Sequence, residues 1–396
     1  MIKIPASEIA NRLVSFQSLL IERGIEAGII RQNADLFYFT GTVQDAYLFV
    51  PSAGEPIFCV RRHVERAMEQ SPLRPVIPIR SPRELPEVIL DNGYDQLTRV
   101  GLELDVMPTN TYFFFRDSLF PRSEIVDISM LIRRVRVIKS DWEIEMMKKA
   151  ALVSHKVAEA VPRFLKEGIT QMDLSIELER VARKSGHLGL IRKRGWNMDM
   201  YFGHVLAGPD AAVPSYTDSP TGGVGTSPAF GQGPSASPIE VGQVVSIDTM
   251  MNFEGYLSDQ TRNFCIGQPP KKLSDAYKIV EEIHREFRQK AKPGVITGDL
   301  YDWVMKKVGG YNLRDYFLGP PGNQVKFVGH GLGIEVDEFP FIARGQKMPL
   351  ASGMTVAFEP KFIFPGVGIV GLENTYVITD KGAESLNSFP EEMVIL

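Results

Sequence analysis

The sequence predicts a two-domain α/β protein, and three observations support this prediction. The chain has 396 residues, which is long enough for two hydrophobic cores. Roughly the first 130 residues alternate short apolar, strand-like runs with amphipathic helices. The remainder contains a faint internal repeat, in which a long helix and a shorter helix are followed by strands. We place the boundary near residues 130–140, which gives domains 1–133 and 134–396.

The N-terminal domain is predicted to begin with a helix over residues 7–23, because apolar residues recur there with helical spacing and Gly24 can end the helix. Further helices are predicted over 63–68, 82–92 and 109–119. Between them lie apolar runs that we interpret as short strands: A-G-I-I, L-F-Y-F-T, A-Y-L-F-V, P-I-F-C-V and R-V-G-L-E-L. No group of catalytic residues is evident in this domain.

The C-terminal domain is predicted to open with a long helix over 140–165, in which Ser140 and Glu143 form a capping box. A second helix follows over 173–185, and the helix pair 274–291 and 298–307 repeats the pattern. Two such halves facing each other would leave a cleft between them. Residues 220–238 are dominated by glycine, serine and proline, which predicts a loop. This loop is either a solvated insertion or a lid that shapes a substrate site.

Composition excludes several classes of function. The net charge of −4 leaves no basic stripe, so we do not expect a nucleic-acid partner. The two cysteines, Cys59 and Cys265, lie in apolar runs and are predicted to be buried thiols, which fits a reducing compartment. The N-terminus has no apolar leader, and no run approaches the roughly 20 apolar residues of a membrane span. We therefore expect a cytoplasmic enzyme without a membrane partner.

The stretch over residues 244–265 carries the first candidate site residues. It is predicted to form two strands around a turn near Asn252, Glu254 and Gly255. Asp248 and Asp259 are eleven residues apart, a spacing that can bring both carboxylates to one face of a hairpin. Two close carboxylates repel each other unless a proton or a cation lies between them. A divalent metal ion, or a pair of ions, would satisfy them.

Three further candidates lie downstream. His330 stands among glycines in F-V-G-H-G-L-G, Glu359 ends an apolar strand before Pro360, and Glu373 lies in L-E-N-T. Together with the two aspartates they form an oxygen-rich set with one nitrogen, which suits Mn, Co, Fe or Zn better than a thiolate site would. Two ions about 3.5–4 Å apart can share a water, lower its pKa and polarise a carbonyl.

These pieces resemble the M24 metallopeptidases of the pita-bread fold, which include Xaa-Pro aminopeptidase, prolidase and methionine aminopeptidase, with creatinase as a metal-free relative. The motifs I-D-x10-D-x-T-R, G-H-G-x-G, F-E-P and L-E-N occur in the family order. The resemblance implies a creatinase/prolidase-like N-terminal domain and a pita-bread catalytic domain. It also implies two divalent ions, manganese first, with five ligands: Asp248, Asp259, His330, Glu359 and Glu373. Glu359 would additionally help to deprotonate the attacking water.

The sequence departs from the Xaa-Pro peptidase pattern at three positions. Ser215 and Asp337 stand where these enzymes usually carry histidines, and Gly371 stands where they often have an arginine. Loss of such donors removes stabilisation of developing oxyanion charge, about 10²–10³-fold for each donor. Asp337 in a catalytic position would suit a cationic substrate group. Ser215 and His204 are candidate substrate-binding residues, although His204 could equally face the core.

We expect a metal-dependent hydrolase that cleaves short peptides and forms a homodimer, as the family commonly does. Two alternatives remain open at this point. One is a non-peptidase hydrolase or lyase that acts on another small, possibly cationic substrate on the same metal platform. The other is a metal-binding relative without catalysis. Arg192 and Arg194 are predicted to lie in a solvated loop.

Overall fold

The structure is a computed structural model that describes residues 2–396. The chain divides into two compact units. The N-terminal unit extends to Arg136 and also includes Arg194–Met198, and the C-terminal unit comprises Val137–Lys193 and Asp199–Leu396. The short segment from the middle of the chain therefore belongs to the first unit, which a single boundary near residue 133 does not describe.

The N-terminal unit contains a mixed six-stranded sheet in the order β4-β3-β2-β1-β5-β6. Its elements are, in chain order, α1 Ala6–Glu22, β1 Ala27–Ile30, α2 Asn33–Thr40, β2 Ala46–Pro51, β3 Ile57–Val60, α3 Val64–Gln70, β4 Val76–Pro78, α4 Leu85–Asp91, β5 Arg99–Leu102, α5 Thr109–Phe114, β6 Glu124–Asp127 and α6 Ser129–Arg136. A π-helical turn over Phe115–Leu119 continues α5. The predicted helices and four of the predicted strands are present.

The prediction of a strand at L-F-Y-F-T was wrong, because these residues belong to helix α2. Gln32 caps the helix, its side-chain oxygen accepting a hydrogen bond from the Asp35 backbone N–H at 2.9 Å. Gly41 ends it in a left-handed conformation with φ 79°. When every residue of a run is apolar, its periodicity cannot distinguish a strand from a helix. Here the capping residues Gln32 and Gly41 determine that the run forms a helix.

The C-terminal unit is built around a nine-stranded sheet. Seven strands follow the order β11-β10-β12-β15-β9-β8-β7, β16 pairs with β15, β17 pairs with β9, and β13 and β14 form a separate hairpin. The elements are α7 Asp141–Phe164, α8 Gln171–Lys184, β7 Gly203–Ala207, β8 Val244–Phe253, β9 Tyr256–Cys265, α9 Lys271–Lys290, α10 Thr297–Gly309, β10 Phe327–Leu332, β11 Val336–Ala343, β12 Thr355–Phe358, β13 Lys361–Phe364, β14 Gly368–Gly371, β15 Glu373–Thr379, β16 Gly382–Ser385 and β17 Val394–Ile395.

The predicted repeat is visible in how this unit packs. Helices α7 and α8 share one apolar core with β7 and β8, in which Val157 and Leu178 meet Val205 and Ile247. Helices α9 and α10 share a second core with β12 and β15. The capping box at the start of α7 is confirmed, since Ser140 accepts from the Glu143 N–H and its own N–H donates to Glu143 Oε2. Each pair of helices thus packs against part of the sheet and forms its own apolar core.

Residues 220–238 form a loop, as predicted, but it is not simply a solvated insertion. Gly225 and Gly233 donate backbone hydrogen bonds to Gly233 O and Gly222 O, respectively. Gln232 and Ser235 are buried, whereas residues 226–229 are exposed. The loop therefore has two internally bonded flanks and an exposed tip.

Two remaining predictions can be checked directly. Cys59 and Cys265 are both free and buried. Within residues 2–396, none of the helices is long and apolar enough to cross a membrane.

Candidate metal centre

The β8–β9 hairpin brings the two aspartates to one face of the sheet. Asp259 lies opposite Met250 in the register, and Asp248 lies opposite Thr261. The two acids are therefore offset by two positions along paired strands, so their side chains point to the same side. The tight turn at Glu254 and Gly255, both with positive φ, fixes this register.

His330 and Glu359 come from the neighbouring strands. His330 lies on β10, which pairs with β12, and Glu359 directly follows β12. Glu359 N–H donates to Val328 O at 2.9 Å, which holds the residue beside β10. Gly329 must be glycine for the strands to approach this closely, because a Cβ there would lie 2.7 Å from Ala357 O.

Glu373 is the first residue of β15 and pairs with Thr261 of β9. The Thr261 hydroxyl donates to Glu373 Oε2 at 2.8 Å. Arg262, almost fully buried, donates to the backbone oxygen of Glu373 and to Asn374 Oδ1, both at 2.8 Å. The sheet and this buried guanidinium therefore fix the orientation of Glu373.

Asp259, His330 and Glu373 each offer one ligand atom, and these atoms lie within 4.8 Å of one another. His330 Nε2 is 3.9 Å from Asp259 Oδ2 and 3.7 Å from Glu359 Oε1. Asp259 Oδ1 is buried and makes no hydrogen bond to any described residue. An orphaned carboxylate oxygen beside an imidazole and a second carboxylate fits a divalent ion.

The acidity of these groups indicates the same position. Burial raises the pKa of Asp259 well above its usual range, and the neighbouring Glu373 and Asp248 add to the effect. Burial also raises the pKa of Glu373 to about 8, although Lys361 opposes the rise. A divalent ion between these two carboxylates would stabilise their charged forms, which burial and mutual repulsion disfavour.

Sequence reasoning missed Lys361, which lies inside the carboxylate cluster. Its Nζ is 2.8 Å from Asp248 Oδ2, 2.7 Å from Glu359 Oε2 and 3.2 Å from Glu373 Oε2. Its side chain is only 2% exposed. Burial would lower the pKa of Lys361, but the three carboxylates outweigh burial and raise it well above its usual range. Burial likewise favours the neutral form of Asp248, yet the Lys361 ammonium keeps the pKa of Asp248 below its usual value.

Asp337 occupies one of the positions where the pattern departs from Xaa-Pro peptidases. Its Oδ2 is 2.7 Å from Lys193 Nζ, and its Oδ1 is 3.5 Å from His330 Nδ1. His330 Nδ1 is also 3.1 Å from Gly331 O. These acceptors favour a proton on Nδ1 and leave Nε2 directed towards the carboxylates. Asp337 already has Lys193 as a cationic partner, so it is less suited to bind a cationic substrate group.

A cavity of about 90 Å³ opens above the cluster. His204 on β7 lies in its lining, with Nδ1 4.0 Å from Asp248 Oδ2. Over residues 2–396 the lining does not include Ser215, whose hydroxyl bonds to Thr217 and Gln232 at 3.0 Å each. Thr217 and Gln232 themselves line the cavity, and neither was predicted. The structure therefore brings His204 to the site and places Ser215 behind it.

The prediction of a solvated loop at Arg192 and Arg194 was wrong for Arg194, whose side chain is 7% exposed. Arg194 belongs to the N-terminal unit, where it lies 2.6 Å from Asp35 and 2.7 Å from Asp105. Asp35 also pairs with Arg136 at 2.6 Å. A fully buried carboxylate requires such partners. The pairing could not be predicted from the sequence, because Arg136 and Arg194 are far from Asp35 along the chain.

Two segments of the chain match known protein families. Residues 12–138 match the creatinase/prolidase N-terminal domain, and residues 145–380 match metallopeptidase family M24. Xaa-Pro dipeptidase from Pyrococcus furiosus is 26% identical over 386 residues, covering 97% of this chain and 99% of that protein. The probable dipeptidase PepE from Mycobacterium tuberculosis is 26% identical, covering 100% of this chain and 98% of that protein.

Solved structures show the same two-domain fold. The Xaa-Pro dipeptidase from Bacillus anthracis superposes with a TM-score of 0.83 at 24% identity, covering 98% of this chain and 100% of that one. The prolidase from Pyrococcus horikoshii gives a TM-score of 0.81 at 23% identity, covering 97% and 100%. The protein is therefore a two-domain chain with a pita-bread catalytic domain. It belongs to metallopeptidase family M24.

Proposed function

We propose that this protein is a metal-dependent hydrolase of short Xaa-Pro peptides. The observation that carries the proposal is the cluster of Asp259, His330 and Glu373, which lines a small cavity with Glu359 beside it. The relatives named as Xaa-Pro dipeptidases support the substrate class. A divalent ion bound here would act as a Lewis acid and activate a water. Manganese is our first choice, because the donor set is rich in oxygen.

Glu359 is the proposed general base. Its Oε2 accepts from Lys361, so Oε1, which faces His330 Nε2, is the atom that takes the proton of the attacking water. Asp337 and Gly331 O hold the His330 ring in place. His204, on the opposite wall, is the proposed hydrogen-bonding partner of the substrate. Thr217 and Gln232 also line the cavity.

We favour a dipeptidase over an aminopeptidase. The cavity is small, about 90 Å³, and Thr217, Asp218 and Ser219 contribute to its lining. A small cavity favours a short substrate over a longer peptide. We further propose a cytoplasmic homodimer, on the family resemblance and the two free, buried cysteines.

The test is turnover of Xaa-Pro dipeptides and of longer Xaa-Pro peptides by protein loaded with Mn²⁺, Co²⁺ or Zn²⁺. A Glu359→Gln variant with measured metal content is the control. Dipeptide cleavage that is lost in this variant supports the proposal, whereas cleavage of only the longer peptides would show an aminopeptidase. Bound metal without cleavage of either series would contradict peptidase function.

A second candidate is a non-peptidase hydrolase or lyase acting on another small substrate. Lys361 favours it, because an ammonium among the metal-binding carboxylates changes the charge that the reacting groups meet. Turnover of small amides or esters, without turnover of any Xaa-Pro peptide, would support this candidate.

A further inference from the structure

We propose that the Lys361 ammonium takes one of the two cation positions of this centre, so that the protein binds a single divalent ion at Asp259, His330 and Glu373. The single-ion part rests on the proposed metal-dependent function. The two-ion expectation came from resemblance, and the side chains of this chain do not fit it.

The Lys361 ammonium binds one oxygen atom from each of three carboxylates of the centre. Lys361 Nζ lies within 3.2 Å of one oxygen from each of Asp248, Glu359 and Glu373. An ammonium donates three hydrogen bonds, and these three acceptors use all of them. A dication that bound Asp248 would therefore have to compete with the ammonium for this group of carboxylates.

The ligand atoms that Lys361 does not contact converge on one position only. Within residues 2–396, Asp259 Oδ1 has no hydrogen-bond partner, and His330 Nε2 faces Asp259 Oδ2 and Glu359 Oε1 at 3.9 and 3.7 Å. Among the described residues, the group whose geometry suits a metal is Asp259, His330 and Glu373, without Asp248. The centre thus has one set of free ligand atoms and one set held by an internal cation.

The β13–β14 hairpin keeps Lys361 in place. Lys361 pairs with Gly371 across the β13–β14 hairpin. A Cβ at position 371 would lie 2.3 Å from Lys361 Cγ and 3.0 Å from its Cβ. The arginine that the resemblance predicts at 371 is therefore sterically incompatible with this lysine. Gly371 makes room for the stem of the Lys361 side chain.

The charges agree with this arrangement. Four carboxylates face the centre: Asp248, Asp259, Glu359 and Glu373. The ammonium and one dication together supply three positive charges and leave the centre with one net negative charge, whereas the ammonium and two dications would supply five and leave it with a net positive charge. A second dication would have to lie beside the ammonium in a buried site, where two cations repel each other strongly. The observed pairing of Lys361 with three carboxylates therefore disfavours a second dication.

The test is metal stoichiometry rather than activity. Protein dialysed against excess Mn²⁺ is analysed by elemental mass spectrometry and electron paramagnetic resonance. We expect about one ion per wild-type chain, with the hyperfine pattern of an isolated Mn²⁺ ion. Lys361→Gly removes both the charge and the side chain, and we expect the stoichiometry to rise to about two with signals of an exchange-coupled pair.

Lys139→Met is the matched control. Lys139 is also a buried lysine of this unit, paired with Glu338 at 3.1 Å, but it does not contact the metal-binding carboxylates. Its loss should leave the stoichiometry at about one. Circular dichroism and thermal unfolding of both variants check that each is folded. If Lys361→Gly does not fold, the wild-type spectrum alone still decides between an isolated ion and a pair.

Two ions in the wild-type protein, or a stoichiometry unchanged in folded Lys361→Gly, would overturn the inference. Absence of any bound ion would overturn both the inference and the proposed function. One bound ion without hydrolysis of any peptide would leave the inference supported and contradict the proposed function alone.

Discussion

Acid should destabilise the C-terminal unit through His284, a buried histidine behind the metal centre. His284 lies on α9 and is fully buried. Its Nε2 is 2.8 Å from Leu372 O, the residue before Glu373, and its Nδ1 is 2.9 Å from the Tyr376 hydroxyl. Because a carbonyl can only accept, Nε2 carries the proton and Tyr376 donates to Nδ1. The neutral ring thus supports the strand that presents Glu373.

The magnitude follows from the pKa of this ring. Burial lowers the pKa of His284 from 6.5 to about 3. Between these values the unfolded chain binds a proton that the folded chain does not, so stability falls as the pH falls. The contribution is nearly absent at pH 7 and reaches about 2 kcal/mol of lost unfolding free energy at pH 5.

The perturbation is His284→Gln, which can still donate to Leu372 O but cannot titrate. Urea unfolding of metal-free protein, followed at pH 7 and pH 5, gives the free energy of unfolding for each form. The variant should start from a lower stability but lose about 2 kcal/mol less than the wild type over this interval. The control is His155→Gln, in a histidine that bonds to Ser388 near the surface. Equal losses in the wild type and His284→Gln would refute the reasoning.

Three further predictions concern other contacts. Asp337→Asn should weaken Mn²⁺ binding about 10–100-fold, as measured by calorimetry, because the His330 ring loses a contact that orients it. Asp218→Asn, in the same cavity lining, should leave the affinity unchanged. Equal affinities of the two variants would show that Asp337 does not orient His330. Asp35→Asn should destabilise the N-terminal unit by about 3–5 kcal/mol, because Arg136 and Arg194 lose a buried anion, and chemical denaturation measures the change; a loss below about 1 kcal/mol would contradict it. Gly371→Ala should cost about 1–3 kcal/mol through its clash with Lys361, and less in a Lys361→Gly background; additive losses in this double-mutant cycle would argue against the contact.

Much of the fold could be predicted because local signals agree with the final structure. The long helices of the C-terminal unit have clear periodicity, and α7 has a capping box that the structure confirms. The β8–β9 hairpin was predictable because its turn residues and β-branched runs specify the register that brings Asp248 and Asp259 together. Helix α2 was not predictable from its apolar run, since the deciding contacts come from Gln32 and Gly41 outside that run.

The candidate site was predictable only in part. The acids and His330 stand at the ends and centres of strands, where spacing indicates their face. Lys361 stands two residues after Glu359 in the printed sequence, but its role depends on the pairing with Gly371 and on contact with Asp248, which is 113 residues away. Lys193 and Gln232 likewise reach the cavity from segments without regular secondary structure. Periodicity carries no information about such long-range contacts.

The most direct test of the metal centre is an anomalous difference map from crystals of Mn²⁺-loaded wild-type protein. We predict one peak per chain, between Asp259, His330 and Glu373, with the Lys361 side chain bonded to Asp248 and Glu359. A second peak beside Asp248, with Lys361 displaced from the cluster, would contradict this account.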